Sequence, residues 1–330
     1  MQAIEITKLT KNFKNTKAVD DISFSVVEGE IFGLLGPNGA GKTTIIKMLT
    51  TLLKPTSGEA KVWGNDVIRQ RDEVRNCMGI VFQEPALDNN LTGYENLDFH
   101  TRLYGLKKEL REKRITEVLD LVELQDKANV LVKNYSGGMQ RRLEIARGLM
   151  HYPKVLFLDE PTLGLDTQTR RHIWEYILML NRKEKTTIIL TTHYMEEADY
   201  LCQRVAIIDF GKIIIQDTPK NLKDLLGGDV ISIEVTQPEK AMISMKDMPW
   251  IKKISRHNDI IDLNVEQGET KIPLLVKIDQ EQAGFSIKSI SLRKPTLEDV
   301  FLNFTGKTIR ESETNQNFGN KGMARRHHQG

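Results

Sequence analysis

Apolar and polar residues alternate with a period of about two through Ile4, Ile6 and Leu9, and again through Ile22, Phe24 and Val26. That pattern predicts two half-buried strands ahead of the glycine turn Glu28-Gly29-Glu30. Ile31 to Leu35 does not alternate, and its unbroken apolar run predicts a buried strand leading into a glycine-rich loop and a helix over residues 43–52. Further strands are predicted over residues 59–63, 78–82, 155–158, 187–191, 205–209 and 212–216, with helical patterns between them. Such alternation of strand and helix gives an α/β fold. Its main feature is a mostly parallel sheet covered by helices, with antiparallel strands at one edge.

Two stretches depart from this rhythm. Between Leu91 and Leu124 no strand pattern occurs, Thr92-Gly93-Tyr94-Glu95 has capping-box spacing, and Leu103, Leu110, Ile115, Leu119 and Val122 fit helical faces, so a helical insertion interrupts the core. A helix over residues 220–226 ends at Gly227-Gly228, a domain boundary. Strand 230–236, helix 239–245, strands 251–257 and 260–265, helix 272–281 and strand 287–293 then follow in βαββαβ order, which predicts a small α+β, ferredoxin-like domain with an added helix over 296–304. After Gly306 the chain becomes polar, and residues 307–330 are expected to be a disordered tail.

Composition narrows the functional classes. The 47 Lys and Arg against 45 Asp and Glu leave a formal charge of +2, without the basic excess of a dedicated nucleic-acid binder, so no nucleic acid is expected as a partner. Cys77 and Cys202 are the two cysteines, too few for a disulfide framework or a cysteine metal cluster. The start lacks the charged and apolar regions of a secretory signal, and no apolar run approaches the roughly 18 residues of a spanning helix. A soluble chain of a reducing compartment is expected, reaching a membrane only through a partner.

The chemistry begins at Gly36-Pro37-Asn38-Gly39-Ala40-Gly41-Lys42-Thr43, which matches G-x-x-x-x-G-K-[ST] between a buried strand and a helix. Glycines let the backbone curl so that successive N–H groups point at phosphate oxygens, and the following helix adds its positive N-terminal end. Lys42 would neutralise the β- and γ-phosphates and the Thr43 hydroxyl would ligate Mg²⁺, with Thr44 counted in the same nucleotide-binding loop. The apolar run Val155-Leu156-Phe157-Leu158 ends in Asp159-Glu160, at the carboxyl edge where α/β sheets bind ligands. Asp159 is the expected Mg²⁺ ligand. Glu160 would point away from its neighbour if the strand continued, free to take a proton from attacking water.

Tyr135-Ser136-Gly137-Gly138-Met139-Gln140, lying between the phosphate loop and the acidic strand, resembles the signature motif of ATP-binding cassette (ABC) ATPases. It departs from the commonest form, Leu-Ser-Gly-Gly-Gln, at Tyr135 and Met139. Gln83 is similar to the family's Q-loop glutamine, Leu163-Gly164-Leu165-Asp166 to its D-loop, His193 to its switch histidine and Phe13 to its adenine-stacking aromatic. The resemblance runs from about residue 4 to 226, and Lys294-Pro295-Thr296-Leu297-Glu298-Asp299-Val300-Phe301 resembles a C-terminal motif of the daunorubicin-resistance branch of exporter ATPases.

The resemblance implies an ABC ATP-binding domain over residues 1–228, with a helical insertion at about 85–150, and an accessory domain over 229–306. It implies ATP and Mg²⁺ as cofactors, with Glu160, His193 and Gln83 catalytic and Gln83 joining Thr43 and Asp159 at the metal. Phe13, the loop from Gly36 to Thr44, Ser136, Gly137, Gly138 and Asp166 would bind nucleotide. One chain cannot readily close its own phosphate loop on its own signature, so a two-fold homodimer around two ATP is expected. A separate transmembrane permease would dock on the insertion, placing the chain at the cytoplasmic face of the membrane as the ATPase of a drug, lipid or amphipathic-compound exporter. The alternative is a soluble ABC ATPase acting on ribosomes or nucleic acid. Tandem cassettes, sustained heptads and metal-binding cysteines would mark that class, and this chain has none of them.

Overall fold

A computed structural model describes residues 1–84, 86–280 and 284–305. The chain opens with β1 (Gln2–Phe13) and β2 (Thr16–Val27), followed by β3 (Ile31–Leu35) and α1 (Lys42–Leu49). Next come β4 (Ser57–Val62), β5 (Asn65–Asp66), α2 (Arg71–Cys77) and β6 (Met78–Val81). The helical stretch holds α3 (Gly93–Leu103), α4 (Lys108–Leu121) and α5 (Gly137–Gly148). Then follow β7 (Val155–Asp159), α6 (Thr167–Glu184), β8 (Thr187–Thr192), α7 (Met195–Leu201), β9 (Arg204–Asp209) and β10 (Lys212–Asp217).

These elements build two sheets. The larger has the order β10-β9-β3-β8-β7-β6, parallel except for β10. Position in this sheet explains the hydrophobic patterns: β3, β7 and β8 are buried at every residue because both faces are covered, whereas the edge strand β10 alternates. The smaller sheet, β2-β1-β4-β5, is antiparallel throughout. The sequence pattern predicts one sheet with antiparallel strands at its edge; β10 fits that description, but β1, β2 and β4 form a layer of their own. They pack onto the larger sheet through Phe24 and Phe32, stacked at 5.1 Å.

Helix ends moved by a few residues for identifiable reasons. α1 stops at Leu49 rather than 52, because the Thr50 hydroxyl donates to the Ile46 carbonyl and Thr51 is left-handed (φ 64°). α5 begins at Gly137, with Ser136 as its cap accepting the Met139 N–H at 3.3 Å. The capping box at Thr92 and Glu95 is present in full. Of the apolar residues that fit helical faces, Ile115, Leu119 and Val122 are buried, while Leu103 and Leu110 stand in solvent.

The second compact unit begins at Pro219. It contains α8 (Pro219–Asp224), β11 (Asp229–Val235), α9 (Pro238–Met245), β12 (Ile251–His257), β13 (Ile260–Val265), α10 (Gly268–Gln280), β14 (Ile287–Arg293) and α11 (Leu297–Thr305). Its antiparallel sheet, β12-β13-β11-β14, has the ferredoxin-like order expected of βαββαβ. Ile231, Ile233, Ile261 and Leu263 meet Ala241, Met245 and Leu275 in a separate core. α10 starts four residues earlier than its apolar pattern, at Gly268, whose N–H is held by the Asp229 carboxylate at 2.8 Å. The tail over 307–330 lies outside the described residues.

One close approach sets α5 against the larger sheet. A Cβ on Gly79 of β6 would stand 2.1 Å from the Gly148 carbonyl oxygen. Gly79→Ala is therefore expected to lower the unfolding free energy in urea by about 1–3 kcal/mol, the usual cost of forcing backbone apart. A change below about 0.5 kcal/mol would show that the helix can retreat freely.

Candidate functional site

The carboxyl ends of β3, β8 and β7 are neighbours in the sheet, and each delivers part of one polar cluster. After β3 the chain curls from Gly36 to Gly41, where φ reaches 106° and a Cβ would stand 2.4 Å from the Ala18 carbonyl. Only glycine accommodates both demands. Lys42, 4% exposed, folds back over this loop and donates to the carbonyls of Gly36 (2.7 Å) and Pro37 (3.0 Å).

At the end of β7 the two acids part company. Asp159, 2% exposed, accepts on one oxygen from the Thr43 hydroxyl (3.1 Å) and from the Thr191 hydroxyl of β8 (2.5 Å). The strand does not continue, so alternation does not orient Glu160: its φ is +47°, and its N–H is held by the Thr191 carbonyl (3.2 Å) and hydroxyl (3.0 Å). This turn brings its carboxylate to 3.5 Å from the Lys42 ammonium and 3.3 Å from His193 Nδ1. Burial alone would raise the Glu160 carboxyl; hydrogen bonding by His193 and the charges of Lys42 and His193 outweigh it and hold the group below its ordinary value of 4.5.

The other expected residues fall around this cluster. Gln83, just past β6, lines a cavity of ≈ 470 Å³ together with Thr43, Lys47 and Asp159. Phe13 is half-exposed at the tip of the hairpin whose strand β2 abuts Gly41, and the Lys11 ammonium lies 5.1 Å over its ring. Ser136 and Gly137 are exposed and Gly138 is partly so, at the start of α5. Asp166 caps α6, accepting from the N–H groups of Gln168 and Thr169 and from the Thr169 hydroxyl (2.6 Å). A Cβ on Gly138 would meet Thr169 at 2.5 Å, so the starts of α5 and α6 pack tightly together. Tyr135, where the commonest signature has Leu, is buried with its hydroxyl on the Lys127 carbonyl at 2.7 Å.

The Thr43 hydroxyl and the Asp159 carboxylate form a hard-oxygen pair. Among the described residues no cluster of three or more His, Cys, Asp or Glu side chains is arranged for a metal. Such a partial set suits Mg²⁺, which takes one or two carboxylates and completes its shell with phosphate and water.

Sequence reasoning passed over three residues here. Thr191 is the last but one in an apolar strand, and nothing in its spacing marks the hydroxyl that holds Asp159 and the Glu160 backbone together. Arg141 is one arginine of an Arg-Arg pair, yet it is buried and donates to the carbonyls of Phe82, Asp159, Glu160 and Pro161. Glu197 is completely buried, receiving the Thr162 hydroxyl (2.7 Å) and the Trp174 indole N–H (2.9 Å). Acidic residues in the first turn of a helix ordinarily face water, so its burial left no trace in the sequence.

Comparisons with known proteins identify the family. The family model described as ABC transporter matches residues 19–163, and that described as ATP-binding protein DrrA1-3-like, C-terminal domain, matches residues 218–305. The chain is 38% identical to the daunorubicin resistance ATP-binding protein DrrA2 of Streptomyces coeruleorubidus, over 95% of this chain and 98% of that one. It is 37% identical to the linearmycin resistance ATP-binding protein LnrL of Bacillus subtilis (strain 168), over 93% and 100%. Among solved structures, the dimeric post-hydrolysis state of the ATP-binding cassette MJ0796 bound to ADP and Pi matches with a TM-score of 0.59 and 29% identity, covering 65% of this chain and 98% of that one.

The depressed Glu160 carboxyl makes stability depend on pH with a definite sign. A group that binds protons more weakly in the folded state contributes fully above its unfolded-state value, and that contribution is lost as the pH falls through the lower folded value. In urea unfolding, the stability difference between the wild type and Glu160→Gln should therefore shift against the wild type as the pH drops from about 7 to about 3. A difference constant across that window would mean that Glu160 is not held as a paired carboxylate.

Proposed function

Because the chain belongs to the ABC transporter ATP-binding proteins of the daunorubicin-resistance type, we propose that it is the ATPase subunit driving a separate permease that exports a drug, lipid or other amphipathic compound. The observation that carries the hydrolytic reading is the convergence of Lys42, Glu160 and His193 within 3.5 Å beside a phosphate-binding loop. No helix among the described residues is long and apolar enough to cross a membrane. The relatives named for resistance to daunorubicin and to linearmycin support export of amphipathic compounds.

In this reading the loop from Gly36 to Thr44 wraps the phosphates with backbone N–H groups and Lys42 balances their charge. Phe13 stacks on the base. Glu160 is ionised at neutral pH, so it can accept the proton of a water whose oxygen attacks the γ-phosphorus; the bond from phosphorus to the β-phosphate oxygen breaks, leaving ADP and phosphate. His193, beside Glu160, holds the γ-phosphate and orients that water, and Gln83 reports nucleotide to the helical insertion. Thr43, Asp159 and Gln83 would hold Mg²⁺, which when bound supplies neutralisation of the phosphate charge.

Ser136, Gly137 and Gly138 cap the exposed start of α5, a second phosphate-binding helix end suited to the partner chain's nucleotide. Asp166 sits on the adjoining helix start. Two ATP thus close a two-fold dimer and hydrolysis releases it, which turns phosphate chemistry into the motion of the permease. We assign the cassette to residues 1–218 and the accessory domain to the unit that begins at Pro219, ahead of the Gly227-Gly228 boundary read from the sequence, and place the assembly at the cytoplasmic face of the membrane.

Glu160→Gln keeps shape and hydrogen-bonding capacity but not the base. Its ATP turnover should fall by about 10²–10⁴-fold while nucleotide binding persists, and in the presence of ATP it should retain a multi-spanning membrane protein in a pull-down from its host. Unchanged turnover would remove Glu160 from the mechanism; retention of ribosomal proteins with no membrane partner would remove the transporter.

A further inference from the structure

Helix α5 carries the signature serine at its exposed end and a buried arginine five residues on. Arg141 is 8% exposed, and its guanidinium spreads over four backbone carbonyls: Nε donates to Pro161 (2.6 Å), Nη1 to Phe82 (2.6 Å), and Nη2 to Asp159 (3.1 Å) and Glu160 (3.2 Å). These are the carbonyls of both acids, of the residue after them and of the residue before Gln83. One turn further along the same helix, buried Glu144 accepts the Ala86 N–H at 2.5 Å and pairs with Arg147 at 2.8 Å. A planar guanidinium offers five N–H groups in a rigid fork, so it fixes several acceptors relative to one another, as a point-like ammonium cannot. α5 therefore cannot tilt without carrying the backbone of Asp159 and Glu160 with it.

We infer that Arg141 is a positioning residue coupling the two nucleotides of the dimer, by locking each chain's signature helix to that chain's own catalytic carboxylates. The inference rests on the reading of Asp159 and Glu160 as the hydrolytic pair and of Ser136 as the contact to the partner's nucleotide. In a two-fold dimer the serine end of α5 meets the ATP held by the partner's loop, while the arginine on the same helix grips the backbone beside the chain's own ATP. Docking of one nucleotide then sets the position of Glu160 against the other. Such coupling is reciprocal: each ATP favours the hydrolytic geometry at its neighbour.

The test is steady-state hydrolysis by the full chain with Arg141→Lys, which keeps the charge and loses the fork, and with Arg141→Gln, alongside Mg-ADP binding, which needs only one chain's loop. The wild type is expected to respond to ATP with a Hill coefficient above 1. Both variants should bind ADP within about twofold of wild type, lose kcat by about 10–10²-fold with KM little changed, and respond with a Hill coefficient near 1. A non-cooperative wild type, or ADP-binding variants with wild-type kcat and cooperativity, would overturn the coupling. Glu160→Gln run in parallel separates the failures: if it keeps full turnover the hydrolytic reading falls, and if it alone loses turnover only the role of Arg141 falls. Should neither variant bind ADP, hydrogen exchange of the wild type decides. At concentrations too dilute to dimerise, ADP should slow exchange in residues 137–148, and no change there would overturn the inference.

Discussion

Lys42 and Glu160 are both nearly out of water and 3.5 Å apart, and neither charge could be kept there alone. An isolated buried ammonium or carboxylate would surrender its charge sooner than accept the loss of hydration. The pair survives because each partner is shared. Two loop carbonyls take hydrogen bonds from the lysine, His193 lies against the glutamate, and Thr191 fixes the backbone from which the glutamate projects. That arrangement requires three chain ends at one edge, and the parallel order of β3, β8 and β7 provides it. The sheet thus serves as the frame for a concentrated charge cluster, and the cluster in turn demands glycines, hydroxyls and a buried arginine around it.

The frame was legible in the sequence because burial on both faces leaves no polar alternation. Ile31 to Leu35 and Val155 to Leu158 announce central strands by composition alone. The ferredoxin-like unit was equally readable, since its two βαβ halves differ in pattern from the long helical insertion before them. The separate hairpin sheet was less so: alternation says that a strand is half-buried, not which neighbour it pairs with. Leu110 shares α4 with buried Ile115 and Leu119 but stands on its opposite face, and Leu103 ends α3 in solvent, because an apolar residue in a helical stretch does not by itself say which face is covered.

Within the site, residues that act through a motif were visible and residues that act through geometry were not. Lys42, Thr43 and Asp159 are tied to their neighbours by short, fixed spacing. Glu160 was singled out in the sequence by an argument that fails in space, since a left-handed turn and not strand alternation aims it at Lys42. Thr191 and Arg141 reach the cluster across 32 and 18 residues of chain, respectively, and no local pattern encodes a partner that distant.

Tyr135 illustrates how a motif can vary without losing its purpose. Its ring fills the place of a smaller aliphatic residue, and its hydroxyl reaches Lys127 only by crossing space that a side chain at position 93 would occupy: a Cβ on Gly93 would lie 2.3 Å from that oxygen. The two positions are therefore coupled: a side chain at position 93 would push the tyrosine hydroxyl off the Lys127 carbonyl, so the tyrosine at the head of this signature and the glycine that opens α3 have to be read together.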